Sequence, residues 1–552
     1  MSSILKIGLL LDSLDVYAWQ YTMIEKIIHQ DCAEINLIIL NDRTQLNMSK
    51  YDRIKKGWHK ILYHIYNKTD YLLFKKNPDA FVKKNLIKLL PDTKVIKVKP
   101  VQRKFSDYIK PNDIINIKNQ NIDILIRMGF RILKGPILTV AKYGVWSYHH
   151  GDNRKIRGGP PGFWETVENW DETGSILQIL NEDLDGGRVI YRSWSSTDKL
   201  SPARNRNNLY WKSLSFLPRR IEQLYRFGEK KFFAITENLN HDFDFYDARL
   251  YTIPTNWIAL KIIMKQSIKI LHKIIEEIFY NHHWILLFHL QNDISLSIRT
   301  YKKIVPPKDR FWADPHVLKY KDKFYVFIEE FLYKSKKGHI AVIEINEKGE
   351  YKKSVKVLEK NYHLAYPFVF KWQEKVYMIP ATHVNKTIEL YECSQFPYEF
   401  KFKMNLMENI SAADTTVFFH EGKWWLFTAI CENEGSAWED ELFLFYSDEL
   451  FTNKWNAHPL NPVVSDVKKA RPAGRIFSRN GKIYRPSQDC SKYYGYGFNI
   501  QEIVVLTETE YVERTISTVK PNWEKKILRT HSFAYEEGII VIDAYMKKRK
   551  YF

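Results

Sequence analysis

ADPHVLKYKDKFYVF, residues 313–327, reads as two short runs of apolar and aromatic residues separated by a charged turn. The pattern returns without gaps in AYPFVFKWQEKVYMI (365–379) and ADTTVFFHEGKWWLF (413–427). In each copy the second residue, Asp314, Tyr366 or Asp414, precedes an aromatic, Tyr325, Tyr377 or Trp425, by the same interval. Two looser copies follow, ARPAGRIFSRNGKIYRP (470–486) and THSFAYEEGIIVID (530–543). A repeat of roughly 50 to 60 residues is the length of a four-stranded blade, so five copies predict an all-β five-bladed β-propeller. Such a fold usually closes by pairing strands from opposite ends of the chain, and WILLFHL (284–290) is the candidate. Equivalent inner-strand positions then face one funnel, which nominates Asp314, Tyr366, Asp414, Arg471 and His531 as a substrate-binding floor for a glycan. Arg471, Arg475 and Arg485 suit a phosphate.

Upstream the texture changes. KIGLLLD (6–12), INLIIL (35–40), IDILIRMGF (122–130) and YGVWSYHH (143–150) are strand-like, and 16–30 has a helical period. The alternation predicts an α/β Rossmann-like sheet, whose ligands bind at the carboxyl ends of the strands. The last of these strands runs into SYHHGDNRKIRGGPPGFWE (147–165), where imidazole, guanidinium and a Gly-Pro loop are crowded together. A carboxylate that could orient or charge His149 is Asp185, in the Leu-Asp-Gly-Gly turn of NEDLDGGRVI (181–190). Gly186 and Gly187 there would let the backbone approach a ligand closely.

These elements resemble the formyltransferase family that includes methionyl-tRNA formyltransferase and the sugar-nucleotide N-formyltransferases. The family's Asn-x-His, Arg-Gly-x-x-Pro and Leu-Asp-x-Gly motifs correspond to Ser147-Tyr148-His149, Arg157-Gly158-Gly159-Pro160-Pro161 and Leu184-Asp185-Gly186-Gly187. The resemblance covers roughly residues 1–240. It implies transfer of a formyl group from N10-formyltetrahydrofolate to an amino sugar. His149, Asp185 and Ser147 would then be catalytic, and Arg157, Gly158, Gly159, Pro160, Gly186 and Gly187 would hold the folate. Ser147 departs from the family asparagine that donates to the oxyanion.

Residues 305–545 resemble the propeller at the N-terminus of plant glucosamine inositolphosphorylceramide transferases. Asp314 and Asp414 also resemble two aspartates of glycoside hydrolase family 43, although Arg471 stands where those enzymes place an acid. Glu329, Glu330 and Glu434 are other acids with no positional support. The reading is therefore a formyltransferase-like domain (1–245), a helical connector (246–280) and a five-bladed propeller (281–552). Its expected activity is formyl transfer in surface polysaccharide or glycolipid synthesis. The alternative is a glycosyltransferase or glycan-processing enzyme working in the propeller, with the first domain repurposed.

The chain of 552 residues carries a formal charge of +20. Its lysines are scattered, which leaves open an unspecific basic surface or an anionic partner. Amino-sugar nucleotides, glycans or glycolipids are the expected partners, and nucleic acid is not. The four cysteines show no metal or disulfide spacing, so a cytoplasmic setting and no metal are expected. WIALKIIMKQSIKILHKIIEEIF, within 255–280, is amphipathic and basic. It is either a packed connector or a helix lying on a membrane, which would place the protein at the inner membrane face.

Overall fold

The computed structural model describes residues 3–43, 57–240, 246–290 and 297–550. The chain divides into two compact units, 1–270 with 433–436, and 271–432 with 437–552.

The first unit is built on a seven-stranded sheet. Its elements in chain order are β1 (Leu5–Leu11), α1 (Ala18–Ile28), β2 (Ala33–Asn41), α2 (Ile61–Phe74), β3 (Lys94–Val98), β4 (Ile124–Arg127) and β5 (Val145–His149). Then come β6 (Glu172–Ile179), β7 (Arg188–Ser196), α3 (Pro202–Ser213), α4 (Phe216–Glu237) and α5 (Asn256–Phe279), the last crossing the sequence boundary between the units. The strand order is β7-β6-β5-β4-β1-β2-β3. The five strands from β5 to β3 are parallel, while β5–β6 and β6–β7 are antiparallel. For β6–β7 the antiparallel pairing follows from chain length, because the short turn after β6 cannot make the crossover that parallel pairing needs. β1 is apolar at successive positions because both faces of the sheet are covered. Ile7, Leu9 and Leu11 pack in a core with residues of α1 and α4, and Leu10 packs in a second core with Leu125 and Val145. The order reverses between β1 and β4, the place in such sheets where a crevice opens.

The second unit contains five four-stranded antiparallel sheets. The first four begin at Arg310, Ala365, Ala412 and Phe477. In the fifth, Tyr280–His289 pairs along its full length with Ile539–Arg549, from Tyr280 opposite Arg549 to His289 opposite Ile540. The WILLFHL strand thus pairs with the chain's C-terminal strand.

One local feature explains the repeat. Asp314, Tyr366 and Asp414 all adopt left-handed backbone angles, with φ of 50°, 44° and 56°. Each lies at a break in pairing register, between Ala313 and His316, Ala365 and Phe368, and Ala413 and Thr416. These are β-bulges, which re-aim a side chain out of the normal alternation. A left-handed tyrosine is strained, and such strain persists only where surrounding contacts fix it.

Candidate functional site

In the first unit, His149 Nδ1 lies 3.4 Å from Asp185 Oδ1. That is a long contact for a hydrogen bond. The Nε2 atom lies 3.0 Å from the Ile156 carbonyl. A carbonyl only accepts, so Nε2 carries the proton and donates there. Asp185, at a left-handed φ of 54°, accepts the Gly158 N–H at 3.2 Å, and its own carbonyl accepts from Asn153 Nδ2 at 3.0 Å. The Leu-Asp-Gly-Gly and Arg-Gly-Gly-Pro-Pro loops therefore meet at this carboxylate.

The rest of the nominated folate set is arranged differently. A Cβ at Gly158 would collide with the Tyr251 carbonyl oxygen, and one at Gly187 with that of Ile179. The room Gly158 and Gly187 leave is taken by the protein's own backbone, a correction to the expectation that Gly187 admits a ligand, whereas a Cβ at Gly186 would meet the Asp183 side chain. The Gly186 N–H donates to the Asp183 carbonyl at 3.4 Å. Gly159 donates to the Tyr251 carbonyl at 3.0 Å, and the peptide between Gly159 and Pro160 is cis. Arg157 donates through Nε to the Asn153 carbonyl at 3.1 Å and lays its guanidinium on the Tyr246 ring at 4.5 Å.

Ser147 is buried, and its hydroxyl accepts from Arg127 Nη1 at 3.2 Å. Arg127, which ends β4, also donates to the Phe130 and Arg131 carbonyls, and its burial lowers its pKa. Beside it opens a cavity of about 490 Å³ lined by Asp12, Trp19, Arg127, His150, Arg206 and Tyr210 among others. Ser147 is on its wall, whereas His149 and Asp185 are not among the lining residues. His150 stacks on Tyr210 at 3.7 Å, and burial pushes its pKa down to about 3, so it is neutral. These residues do not fit N10-formyltetrahydrofolate in the expected way. His149 and Asp185 do not line the cavity, and both nitrogens of the imidazole face protein acceptors.

In the second unit a pocket of about 290 Å³ is lined by Asp314, Glu329, Asp414, Arg471 and His531, with Trp284, Phe311, Phe331 and Tyr494 as aromatic walls. His531 lies between two carboxylates, with Nε2 3.2 Å from Asp314 and Nδ1 2.6 Å from Asp543. The bulged backbone contributes too. The Asp314 N–H donates to Asp543 at 3.3 Å, and the Tyr366 N–H donates to Asp314 at 3.2 Å. One chain of contacts thereby links the fifth, first and second sheets. Burial of His531 opposes its charge, but Asp543 and Asp314 outweigh it and hold the imidazole above its ordinary pKa. Asp314, Asp543 and His531 also bring potential metal-ligand atoms within 4.8 Å of one another, although each His531 nitrogen already faces a different carboxylate.

Arg471 pairs with Asp414 through Nε at 2.6 Å and Nη2 at 3.3 Å, and its guanidinium lies over Tyr494 at 5.0 Å. Gln488 Nε2 donates to the same carboxylate at 2.9 Å. Arg475 pairs with Glu536, and the buried Arg485 with Glu513. The reading of these three arginines as a phosphate site is corrected accordingly, since each charge is already matched inside the protein. Tyr366 is also corrected as a funnel residue. It is fully buried, its hydroxyl lies 3.0 Å from Thr416 Oγ1, and it is not among the pocket's lining residues.

Glu329 is the residue that motif reading left without a position. It pairs across the hairpin with Ala313, as Ala381 pairs with Ala365 and Ala429 with Ala413. The first sheet thus carries a carboxyl group where the second and third carry a methyl. Glu329 is buried, and its pKa is well above the usual carboxylate range, first through desolvation and then through the charges of Asp314 and Asp414. Burial likewise raises Asp314 to about 6, against the attraction of His531. Desolvation thus holds both carboxyl groups of the pocket above their ordinary range. The signal lies two residues beyond the aligned copies, where Glu329 stands opposite the Ala381 and Ala429 of its sisters.

Comparison with known proteins gives a match of residues 292–532 to the family "Glucosamine inositolphosphorylceramide transferase 1, N-terminal". The glucosamine inositolphosphorylceramide transferase 1 of Oryza sativa subsp. japonica is 32% identical over 206 residues, 37% of this chain and 27% of the relative. The methionyl-tRNA formyltransferase of Prochlorococcus marinus is 36% identical over 83 residues, 15% of this chain and 24% of the relative. The chain thus spans about a quarter of the length of these curated relatives. Among solved structures, Bacteroides ovatus xyloglucan PUL GH43B aligns with a TM-score of 0.31 at 13% identity, covering 44% of this chain and 53% of that one.

Proposed function

We propose that the second unit is a five-bladed propeller that binds the sugar of a glycolipid or related surface glycan and transfers or removes a glycosyl group in the pocket around Asp314 and Glu329. The observation that carries this reading is Glu329, a buried carboxyl lining the pocket with Asp314 where the sister sheets have alanine. Two carboxyl groups in one pocket are what acid–base chemistry at a sugar requires. As the bond from the anomeric carbon to the leaving oxygen breaks, Glu329 delivers its proton to that oxygen. As the acceptor oxygen, from a hydroxyl or water, forms the new bond, Asp314 takes its proton. Trp284, Phe311, Phe331 and Tyr494 provide faces for the sugar ring. One matched relative is named for action on an inositolphosphorylceramide, which supports a glycolipid here, but the match covers 27% of that relative and the pocket has to carry the proposal.

The test is a mass-spectrometric assay of the purified chain with inositolphosphoryl lipids or their glycosylated forms, with and without nucleotide sugars. Turnover by the wild type, lost in Asp314→Asn and Glu329→Gln, is the expected result. Turnover that survives both substitutions would overturn the reading.

A second reading, formyl transfer by the first unit, is favoured by the contact between His149 and Asp185. It requires His149 Nε2 to leave the Ile156 carbonyl before the ring can serve a substrate. Release of tetrahydrofolate from N10-formyltetrahydrofolate in the presence of an amino-sugar nucleotide, abolished by His149→Ala, would establish it.

A further inference from the structure

Helix α5 buries one face and leaves an apolar stripe on the opposite one. Ala259, Ile262 and Gln266 are its buried residues. At 100° per residue their direction lies roughly opposite that of Trp257, Leu260, Met264 and Ile268. These four are 65%, 39%, 53% and 69% exposed, and the stripe continues along the helix through Leu271, Ile275 and Ile278. A soluble helix ordinarily turns such a stripe toward its core. Here the core-facing side is a different one.

Charge is distributed to match. Lys261, Lys265 and Lys269 follow one another along one flank of the stripe, and the helix has no acidic residue before Glu276. The Lys265 and Lys269 ammonium groups lie 3.3 and 3.4 Å from the Val167 and Lys199 carbonyls, and burial lowers the Lys269 pKa to about 8, so Lys261 and Lys265 are the exposed cations of the flank. The neighbouring helix α2, joined to α5 where the Leu62 N–H donates to Asn256, has an exposed stripe of its own in Ile61, Ile65 and Leu72. Trp58, 64% exposed, precedes it, and its carbonyl accepts from Asn256 Nδ2 at 2.8 Å. Two exposed tryptophans at the start of neighbouring helices are the side chains favoured at the boundary between lipid headgroups and acyl chains.

From this geometry we propose that α5 docks the protein on an anionic bilayer, lying in the plane of the headgroups with Trp257, Met264 and Ile268 inserted and Lys261 and Lys265 on lipid phosphates. Among the described residues no helix is long and apolar enough to cross a membrane, so the contact is a surface one. A second copy of the chain is a poorer occupant. A coiled-coil seam in register with Met264 and Ile268 would continue to Lys261, put that charge at a core position and bring the lysine flanks of two helices together. The inference is independent of the glycosyl-transfer proposal.

Co-sedimentation of the full chain with phosphatidylcholine vesicles, with and without 30% phosphatidylserine, tests it. Binding to the anionic vesicles should exceed binding to neutral ones at least tenfold and weaken with salt. The variant Met264→Glu/Ile268→Glu should lose at least tenfold with its melting temperature unchanged, since both positions are exposed. Lys261→Glu should weaken binding to anionic vesicles alone. Equal binding by wild type and double variant overturns the proposal. So does an absence of vesicle binding with a concentration-dependent dimer that the double variant abolishes, since that would assign the stripe to a second copy.

Discussion

The His531 imidazole lies 3.2 Å from the Asp314 carboxylate, and both side chains are buried. The other face of the contact chain is Asp543, 2.6 Å from the second ring nitrogen. One cation thus serves two buried carboxylates carried by different sheets. Without the imidazole both carboxylates keep, among the described residues, only neutral donors, the Ser532 hydroxyl and the backbone N–H groups of Asp314, Tyr366, His531 and Ser532.

His531→Gln should therefore cost about 3 kcal/mol or more, as breaking a buried ion pair from one side does. Urea denaturation followed in the second unit would measure it. A loss under about 0.5 kcal/mol, the scale of an ordinary surface change, would mean that the carboxylates are satisfied in another way.

Glu329→Ala restores the residue found in the sister sheets and removes a desolvated carboxyl group. The variant should be at least as stable as the wild type, with a gain on the order of 1 kcal/mol, while glycosyl turnover falls at least a hundredfold. A marked loss of stability would instead make Glu329 structural, held for its contact with His363 at 3.4 Å.

The pH dependence has a definite sign. Asp314 and Glu329 are raised in the folded protein, so the folded state holds protons that the unfolded chain releases. His531 is raised as well, and its contribution is complete below the unfolded value of 6.5 and lost as pH rises through the folded one. All three make the second unit less stable as pH rises, with the Asp314 share lost between 3.8 and about 6. Calorimetry from pH 4 upward should show this decline. In Glu329→Gln it should be shallower.

His149→Asn removes the contact with Asp185 and the donor to the Ile156 carbonyl. Glycosyl turnover should stay within about twofold of wild type if the chemistry lies in the second unit. A loss of one hundredfold or more would return the reaction to the first unit.

Gly158→Ala places a Cβ against the Tyr251 carbonyl oxygen at a φ of 91°. The first unit should lose about 2 kcal/mol or more, from backbone strain and collision together. An unchanged denaturation midpoint would show that this loop relaxes easily and leave room for a ligand after all.

Much of the site's scaffold was legible in the chain. The recurring second position of the repeat marks the bulges at Asp314, Tyr366 and Asp414, because a left-handed residue between paired strands imposes the same local sequence each time. The spacing of the loops that carry His149 and Asp185 likewise foretold their approach. Which side chains face the pocket was harder to read. A bulge inverts the strand's alternation locally, so Asp314 lines the pocket while Tyr366, at the same repeat position, is sealed in the core. Arg127 gave no signal at all, because its partners are backbone carbonyls and a hydroxyl with no pattern of their own.

Sequence by itself determined the two textures of the chain, the strand repeat and the motif spacings, since these depend on contacts between near neighbours and on the periods of strand and helix. Only the tertiary structure decided that the Glu329 carboxyl is desolvated, that Arg471 is neutralised by Asp414, and that Gly158 and Gly187 make room for backbone. Those outcomes depend on desolvation and on charges brought together from distant segments, and both exist only once the chain has packed.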